Sequence, residues 1–186
     1  MTTQPLGERI KRNEDPRLLT GRALFIDDLD LPGIAHVAFL RSPYAHARIL
    51  SIDTSRARQR EGVIAVFTAE DLGSYWQPGP LLVPPPPVEG MVFHQRTQAP
   101  LAKDKVRHRG EPVALVVATS RYVAEDAVED IEVDYDPLPA VVDLESALEH
   151  GAPLIHEDVG SNMAAYVPQK QGDYAAARAQ ADVVIR

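Results

Sequence analysis

The chain has 186 residues, of which 45% are hydrophobic and 25% are charged, and this balance is typical of a soluble globular domain. The absence of cysteine excludes disulfides, thiolate nucleophiles and iron–sulfur ligation by this chain. The net charge of −8 argues against a nucleic-acid partner, and the longest apolar stretch, Val113 to Ala118, is too short to cross a membrane. No apolar segment follows the charged N-terminal residues, so we expect no secretory signal and predict a cytoplasmic location.

The first part of the chain predicts a polar arm followed by short strands. Residues 1–20 are polar and contain two prolines, which favours an extended arm. Residues 21–28 predict a first strand, closed by a turn at Leu31-Pro32-Gly33. Further strands are predicted at 34–40, 49–52 and 63–67, with one or two helical turns at 56–61.

Residues 73–100 form the least regular part of the sequence. Four consecutive prolines, Pro84 to Pro87, exclude regular structure there and predict a stiff, exposed loop. Two interpretations remain open: the aromatic residues pin the loop to its own domain, or the loop is a lid or channel wall that meets another surface. The candidate contact residues are Tyr75, Trp76, Leu81, Leu82 and Phe93.

The clearest structural prediction lies between residues 113 and 139. Val113 to Ala118 predicts a buried strand, and Ser120 is placed to cap a helix with apolar residues at the spacing i, i+3, i+4 and i+7. The alternation of apolar and acidic residues over 131–136 then predicts a half-buried strand. Short helices are expected at 144–148 and 173–181, and a strand is expected to begin at 183–185. Because that strand has no successor, we expect a fragment, a split gene product or a partner that continues the fold.

A search for chemical sites yields few candidates. The sequence contains no glycine-rich phosphate loop, no nucleophile elbow and no spaced histidine pair of a zinc site. His36 is expected in the core or at a sheet edge, and His46 as a hydrogen-bonding loop residue. His156, Glu157 and Asp158 could bind a cation, but adjacent residues of an extended chain point to opposite sides. We therefore predict no catalytic, cofactor-binding or metal-binding residue.

Several segments, in this order and spacing, resemble the molybdenum-binding large subunits of the xanthine dehydrogenase, aldehyde oxidase and aerobic carbon monoxide dehydrogenase family. The resemblance covers roughly residues 7–186. The motifs RSPYAHARI (41–49) and GEPVALVVA (110–118) are specific in combination. The other matching segments are EDPRLLTGRALFIDDLDLPG (14–33), GVIAVFTAEDL (62–72) and AEDAVEDIEVDYDPLPAVVDLESAL (124–148).

The resemblance implies an α+β fold, the α/β hammerhead domain, with a mixed β-sheet, short flanking helices and a long proline-rich loop. It implies an arm at 1–20, a core at 21–150, and a linker with a short helix at 151–186 that leads toward a molybdenum-cofactor domain. In the family, molybdopterin, iron–sulfur clusters and FAD are held outside this region, on that domain or on partner subunits. The proline-rich loop does not match the xanthine oxidase branch, where its equivalent lines the substrate funnel; it is closer to the carbon monoxide dehydrogenase-like members.

Two functions follow as expectations. The chain is the N-terminal domain of a molybdenum-dependent oxidoreductase, inactive alone, that scaffolds the molybdopterin domain and lines its substrate entrance. The alternative is a free-standing, non-catalytic scaffold or maturation module that binds a partner subunit.

Overall fold

The computed structural model describes Gly7 and residues 11–79, 86–94 and 97–185. The chain divides into two units, residues 1–34 and 35–186. The domain boundaries expected at residues 20 and 150 remain predictions.

The first unit contains a short helix, α1 (Asp15–Leu19), and a 3-10 turn (Ile26–Asp28). Pro16 near the first helical position favours α1, so the expected extended arm contains a helix. The strand predicted at 21–28 is wrong: the backbone N–H of Phe25 donates to the Asp28 carboxylate at 2.9 Å, and this contact closes a turn. No strand among the described residues pairs with this segment, and a lone strand would leave its backbone groups without partners.

The second unit contains three small antiparallel sheets within the described residues. In the first sheet, β6 lies between β1 and β3; in the second, β2 lies between β5 and β7; β4 and β8 form the third. The strands are β1 (His36–Arg41), β2 (Ala47–Asp53), β3 (Val63–Thr68), β4 (Val92–Phe93), β5 (Lys105–Val106), β6 (Pro112–Ala118), β7 (Glu132–Pro137) and β8 (Ala165–Tyr166).

The mixed sheet expected from the resemblance is wrong in one detail, because every described strand pair is antiparallel. The reason lies in two helical connections. Helix α2 (Ser55–Gln59) joins β2 to β3, and α3 (Arg121–Glu129) joins β6 to β7. Each connection leads from one sheet to the other, so neither makes the crossover within one sheet that parallel pairing requires.

The main core lies between the first sheet and the two helices. Val66, Val116, Ala124 and Ala127 are among its fully buried residues. The capping residue predicted for α3 is confirmed, because the Ser120 hydroxyl accepts a hydrogen bond from the backbone N–H of Val123. The predicted alternation over 131–136 is likewise confirmed in β7.

A tight turn brings the chain from α2 into β3. Gly62 has a φ of +85°, which glycine adopts without strain, and its carbonyl accepts a hydrogen bond from the N–H of Thr119 at 2.9 Å. A Cβ atom at this position would lie 3.0 Å from the Thr119 hydroxyl oxygen. Gly62 therefore fixes the start of β3 against the end of β6.

After β7 the described chain is less regular. The helix predicted at 144–148 is a 3-10 turn (Ser146–Leu148), and the helix predicted at 173–181 is α4 (Tyr174–Ala179), capped by Asp173. The strand predicted at 183–185 is wrong, because these residues are exposed and pair with no described strand. Among the described helices, none has the length and apolar character needed to span a membrane.

Candidate functional site

The described parts of residues 73–100 are attached to the second unit through a few long-range contacts. A 3-10 turn (Gly73–Tyr75) begins the segment. The N–H of Gly79 donates to the carbonyl of Gln98 at 2.8 Å, so the two ends of the loop meet. Further along, β4 pairs with β8, a partner more than seventy residues away in sequence.

The candidate contact residues have different surroundings. Tyr75 is 90% exposed. The indole N–H of Trp76 donates to the carbonyl of Leu101 at 2.8 Å, and the Lys103 ammonium lies 5.6 Å from the Trp76 ring centre. Phe93 is half-buried in β4, opposite Ala165 of β8. Trp76 and Phe93 thus contact their own domain, whereas Tyr75 projects outward.

Leu81, Leu82 and two of the four consecutive prolines lie outside the described residues.

A half-open cleft of about 420 Å³ lies at the base of the loop. It brings the start and end of the proline-rich segment together with residues that follow β5 and with the acidic segment around residue 157. The lining residues are Trp76, Pro78, Thr97, Gln98, Ala99, Arg107, Glu111, His156, Glu157 and Asp158.

Two carboxylates that line this cleft are held by short contacts. The buried Lys105 ammonium donates to the Glu157 carboxylate at 2.5 Å, and this contact lowers the pKa of Glu157. The buried Glu111 carboxylate accepts a hydrogen bond from the backbone N–H of Arg107 at 2.5 Å. The Nε atom of Arg107 is buried and has no hydrogen-bond partner among the described residues.

His156 also borders this cleft. Burial lowers its pKa most, and the positive charge of Arg107 lowers it further. His156, Glu157 and Asp158 are neighbours in sequence, but the structure also places Arg107 and Glu111 beside them, which the sequence pattern does not predict. The sequence signal for these two residues is weak. Arg107 belongs to a basic stretch that also fits a solvated strand, and Glu111 follows that stretch.

These residues do not fit a metal or an iron–sulfur cluster. Glu157 is paired with Lys105, and the described residues contain no group of three histidine, aspartate or glutamate side chains that could hold a metal ion. The chain has no cysteine to supply thiolates for a cluster. The arrangement offers a half-open surface lined by polar and charged side chains.

A second, mainly apolar hollow of about 270 Å³ shares Thr97 and His156 with the cleft. Asn162 builds one wall: its side-chain amide donates to the carbonyls of Ala147 and Pro153, and its oxygen accepts from the N–H of Ile155. Val142 and Leu144 also line the hollow. They are 88% and 87% exposed, so the hollow is open to solvent on their side.

The two motifs that are specific in combination meet in space. Ser42 is buried; its N–H donates to the carbonyl of Glu111 at 2.9 Å, and its own carbonyl accepts from Gly110. His46 is also buried, and its Nδ1 bonds the carbonyl of Pro139 at 2.8 Å, which confirms its expected role as a hydrogen-bonding residue. These hydrogen bonds therefore connect the motifs RSPYAHARI and GEPVALVVA where the chain leaves β1 and where it enters β6.

The chain matches known proteins over most of its length. Residues 20–139 match the family model described as aldehyde oxidase and xanthine dehydrogenase, a/b hammerhead domain. The carbon monoxide dehydrogenase large chain of Afipia carboxidovorans is 47% identical over 161 residues, covering 86% of this chain and 18% of that protein. Subunit gamma of the 6-hydroxypseudooxynicotine dehydrogenase complex of Paenarthrobacter nicotinovorans is 38% identical, covering 97% of this chain and 22% of that protein.

A solved structure of a related protein has the same fold over most of this chain. Quinoline 2-oxidoreductase from Pseudomonas putida 86 superposes with a TM-score of 0.73 at 44% identity, covering 87% of this chain and 20% of that chain. The chain thus spans about a fifth of the length of the relatives that it matches.

Proposed function

The chain belongs to the aldehyde oxidase and xanthine dehydrogenase family, as its α/β hammerhead domain, and on that premise we propose that it scaffolds the molybdopterin domain of a molybdenum hydroxylase large subunit. The observation that carries the proposal is the superposition on quinoline 2-oxidoreductase, which covers 87% of this chain but only 20% of that enzyme. The remaining four-fifths of such a subunit is the partner that this domain supports.

The complete assembly would be an oxidoreductase that uses molybdopterin, iron–sulfur clusters and FAD. The cysteines that hold the iron–sulfur clusters would come from outside this chain, since it has none. We expect the chain alone to be inactive and to purify without stoichiometric molybdenum, iron or flavin; metal analysis and an absorption spectrum check this. The cytoplasmic location expected from the sequence stays a prediction.

We further propose that residues 73–100 lie at the interface with the molybdopterin domain, beside its substrate entrance. The support is the exposure of Tyr75, next to a Trp76 that is held in place through Leu101. The half-open cleft that Trp76 borders offers a preformed contact surface. An aromatic side chain on a fixed loop suits a contact with little ordering cost.

Limited proteolysis tests the interface. The partner for the experiment is the carbon monoxide dehydrogenase large chain of Afipia carboxidovorans without the segment that this chain matches, hereafter the truncated large chain. The chain alone should be cut first between Gly73 and Pro100, and this cleavage should slow when the truncated large chain is bound. An unchanged cleavage pattern in a complex that size-exclusion chromatography confirms would exclude the interface role of the loop.

A further inference from the structure

The first sheet has two faces, and the described residues cover one of them fully and the other only at one end. Side chains alternate along each strand, so the register assigns every residue of the sheet to a face. On the inner face, Ala38, Val116 and Val66 lie side by side, and this row packs with the core residues of α2 and α3. Both helices therefore lie on the inner side.

The outer face carries two rows of apolar side chains. In one row Val37 pairs with Val117, which pairs with Ala65. In the other, Phe39 pairs with Leu115, which pairs with Phe67. We name these six residues the outer patch: Val37, Phe39, Ala65, Phe67, Leu115 and Val117.

The outer patch is exposed although none of its members is polar. Val37 is 52% and Phe39 is 43% exposed, and the other four are half-buried by their neighbours in the sheet. Charged residues make up 25% of the chain, but the two rows contain none. Such an uncharged, apolar patch is typical of a surface that binds another polypeptide.

One end of the same face is already covered by the chain itself. Val113, which follows the same alternation on β6, is fully buried in a second core cluster with Ala47, Ala102 and Val106. Next to it, the Arg41 guanidinium lies 5.6 Å above the Phe39 ring and donates to the carbonyl of Gly110. The outer patch therefore continues a buried layer, and Arg41 is fixed at the border between the covered and the open part.

We propose that the outer patch is the docking surface for the polypeptide that corresponds to the remaining four-fifths of the large subunit. This inference rests on the proposed function. It adds the surface through which the hammerhead domain binds the rest of the large subunit. The occupant follows from the relatives, in which a segment 44–47% identical to this chain is part of a protein about five times as long. Six apolar residues bury too little surface to form a whole interface. The outer patch is therefore the central part of that interface, from which water is excluded.

The absence of cysteine makes the proposal directly testable, because a single introduced cysteine is the only thiol of the chain. Val37→Cys reports on the outer patch. Tyr122→Cys is the matched control, since Tyr122 is 80% exposed on α3, which packs on the opposite face of the sheet. Each variant is alkylated alone and after addition of the truncated large chain, and the modified chain is quantified by mass spectrometry.

The expected result is that complex formation slows alkylation of Val37→Cys by about tenfold or more and leaves Tyr122→Cys unchanged. In parallel, Val37→Lys should weaken the complex by about tenfold or more, because it places an unpaired charge in a desolvated centre, whereas Tyr122→Lys should bind like the original chain.

The alternative outcomes separate this proposal from the function on which it rests. A complex in which Val37→Cys stays fully reactive overturns the docking surface and leaves the scaffold function standing. Failure of the original chain to form any complex overturns the scaffold function together with the surface. Slow alkylation of Val37→Cys in the isolated chain also overturns the proposal, since a second copy or the chain's own residues would then cover the patch.

Discussion

Residues 112–137 and residues 73–100 are segments of similar length that are held in place in different ways. The first contains β6, α3 and β7; continuous ladders with β1, β3 and β2 and a capped helix satisfy their backbone groups. The described parts of the second depend mainly on isolated contacts, such as Trp76 with Leu101 and Gly79 with Gln98. The difference indicates that the rest of the domain orders the first region through continuous ladders, whereas the few contacts of the second leave it to be ordered further by a partner.

The largest expected effect concerns the two faces of the first sheet. Val116 is fully buried, and Val116→Asp should abolish folding, because an unpaired buried charge costs several kcal/mol, comparable to the total stability of a domain. Val37→Asp makes the same change on the exposed face of the neighbouring strand and should cost at most about 1 kcal/mol. Thermal unfolding followed by circular dichroism compares them, and similar melting of both variants would show that the faces are wrongly assigned.

A smaller effect is expected at the two helix caps. Ser120→Ala removes the side-chain acceptor of the Val123 N–H at the start of α3, which packs into the core, and should lower the free energy of unfolding by about 1 kcal/mol. Asp173→Ala removes the equivalent acceptor at α4, a helix without buried residues, and should leave global unfolding unchanged. Equal destabilisation by the two substitutions in urea unfolding would contradict this ranking.

Within the second region, the Trp76 hydrogen bond is the contact to remove. Trp76→Phe leaves the carbonyl of the buried Leu101 without its donor, so we expect a loss of about 1 kcal/mol and faster cleavage of the loop by protease. Tyr75→Phe is the control, since Tyr75 is 90% exposed and its hydroxyl should not matter in the isolated chain. If Trp76→Phe behaved like Tyr75→Phe in both measurements, the loop would not depend on this contact.

The same contrast explains what could be predicted from the sequence. The strand at 113–118, the Ser120 cap and the alternation over 131–136 follow from local periodicity, and the structure confirms them. The contact between Arg107 and Glu111, and the pairing of Val92 with Tyr166, carry no periodic signal. The strand expected at 21–28 is wrong because local apolar character cannot supply the neighbouring strand that a ladder needs.

Hydrogen exchange tests most directly whether the first region is ordered within the isolated domain and the second is ordered further by a partner. In the isolated chain, amides of β6 should exchange most slowly, and amides of residues 73–79 and 86–94 much faster. Binding of the truncated large chain should slow exchange in these two stretches by about tenfold or more and leave β6 and α3 nearly unchanged. Exchange in residues 73–94 that is equally fast in the complex, or β6 amides that exchange as fast as the loop in the isolated chain, would contradict the account.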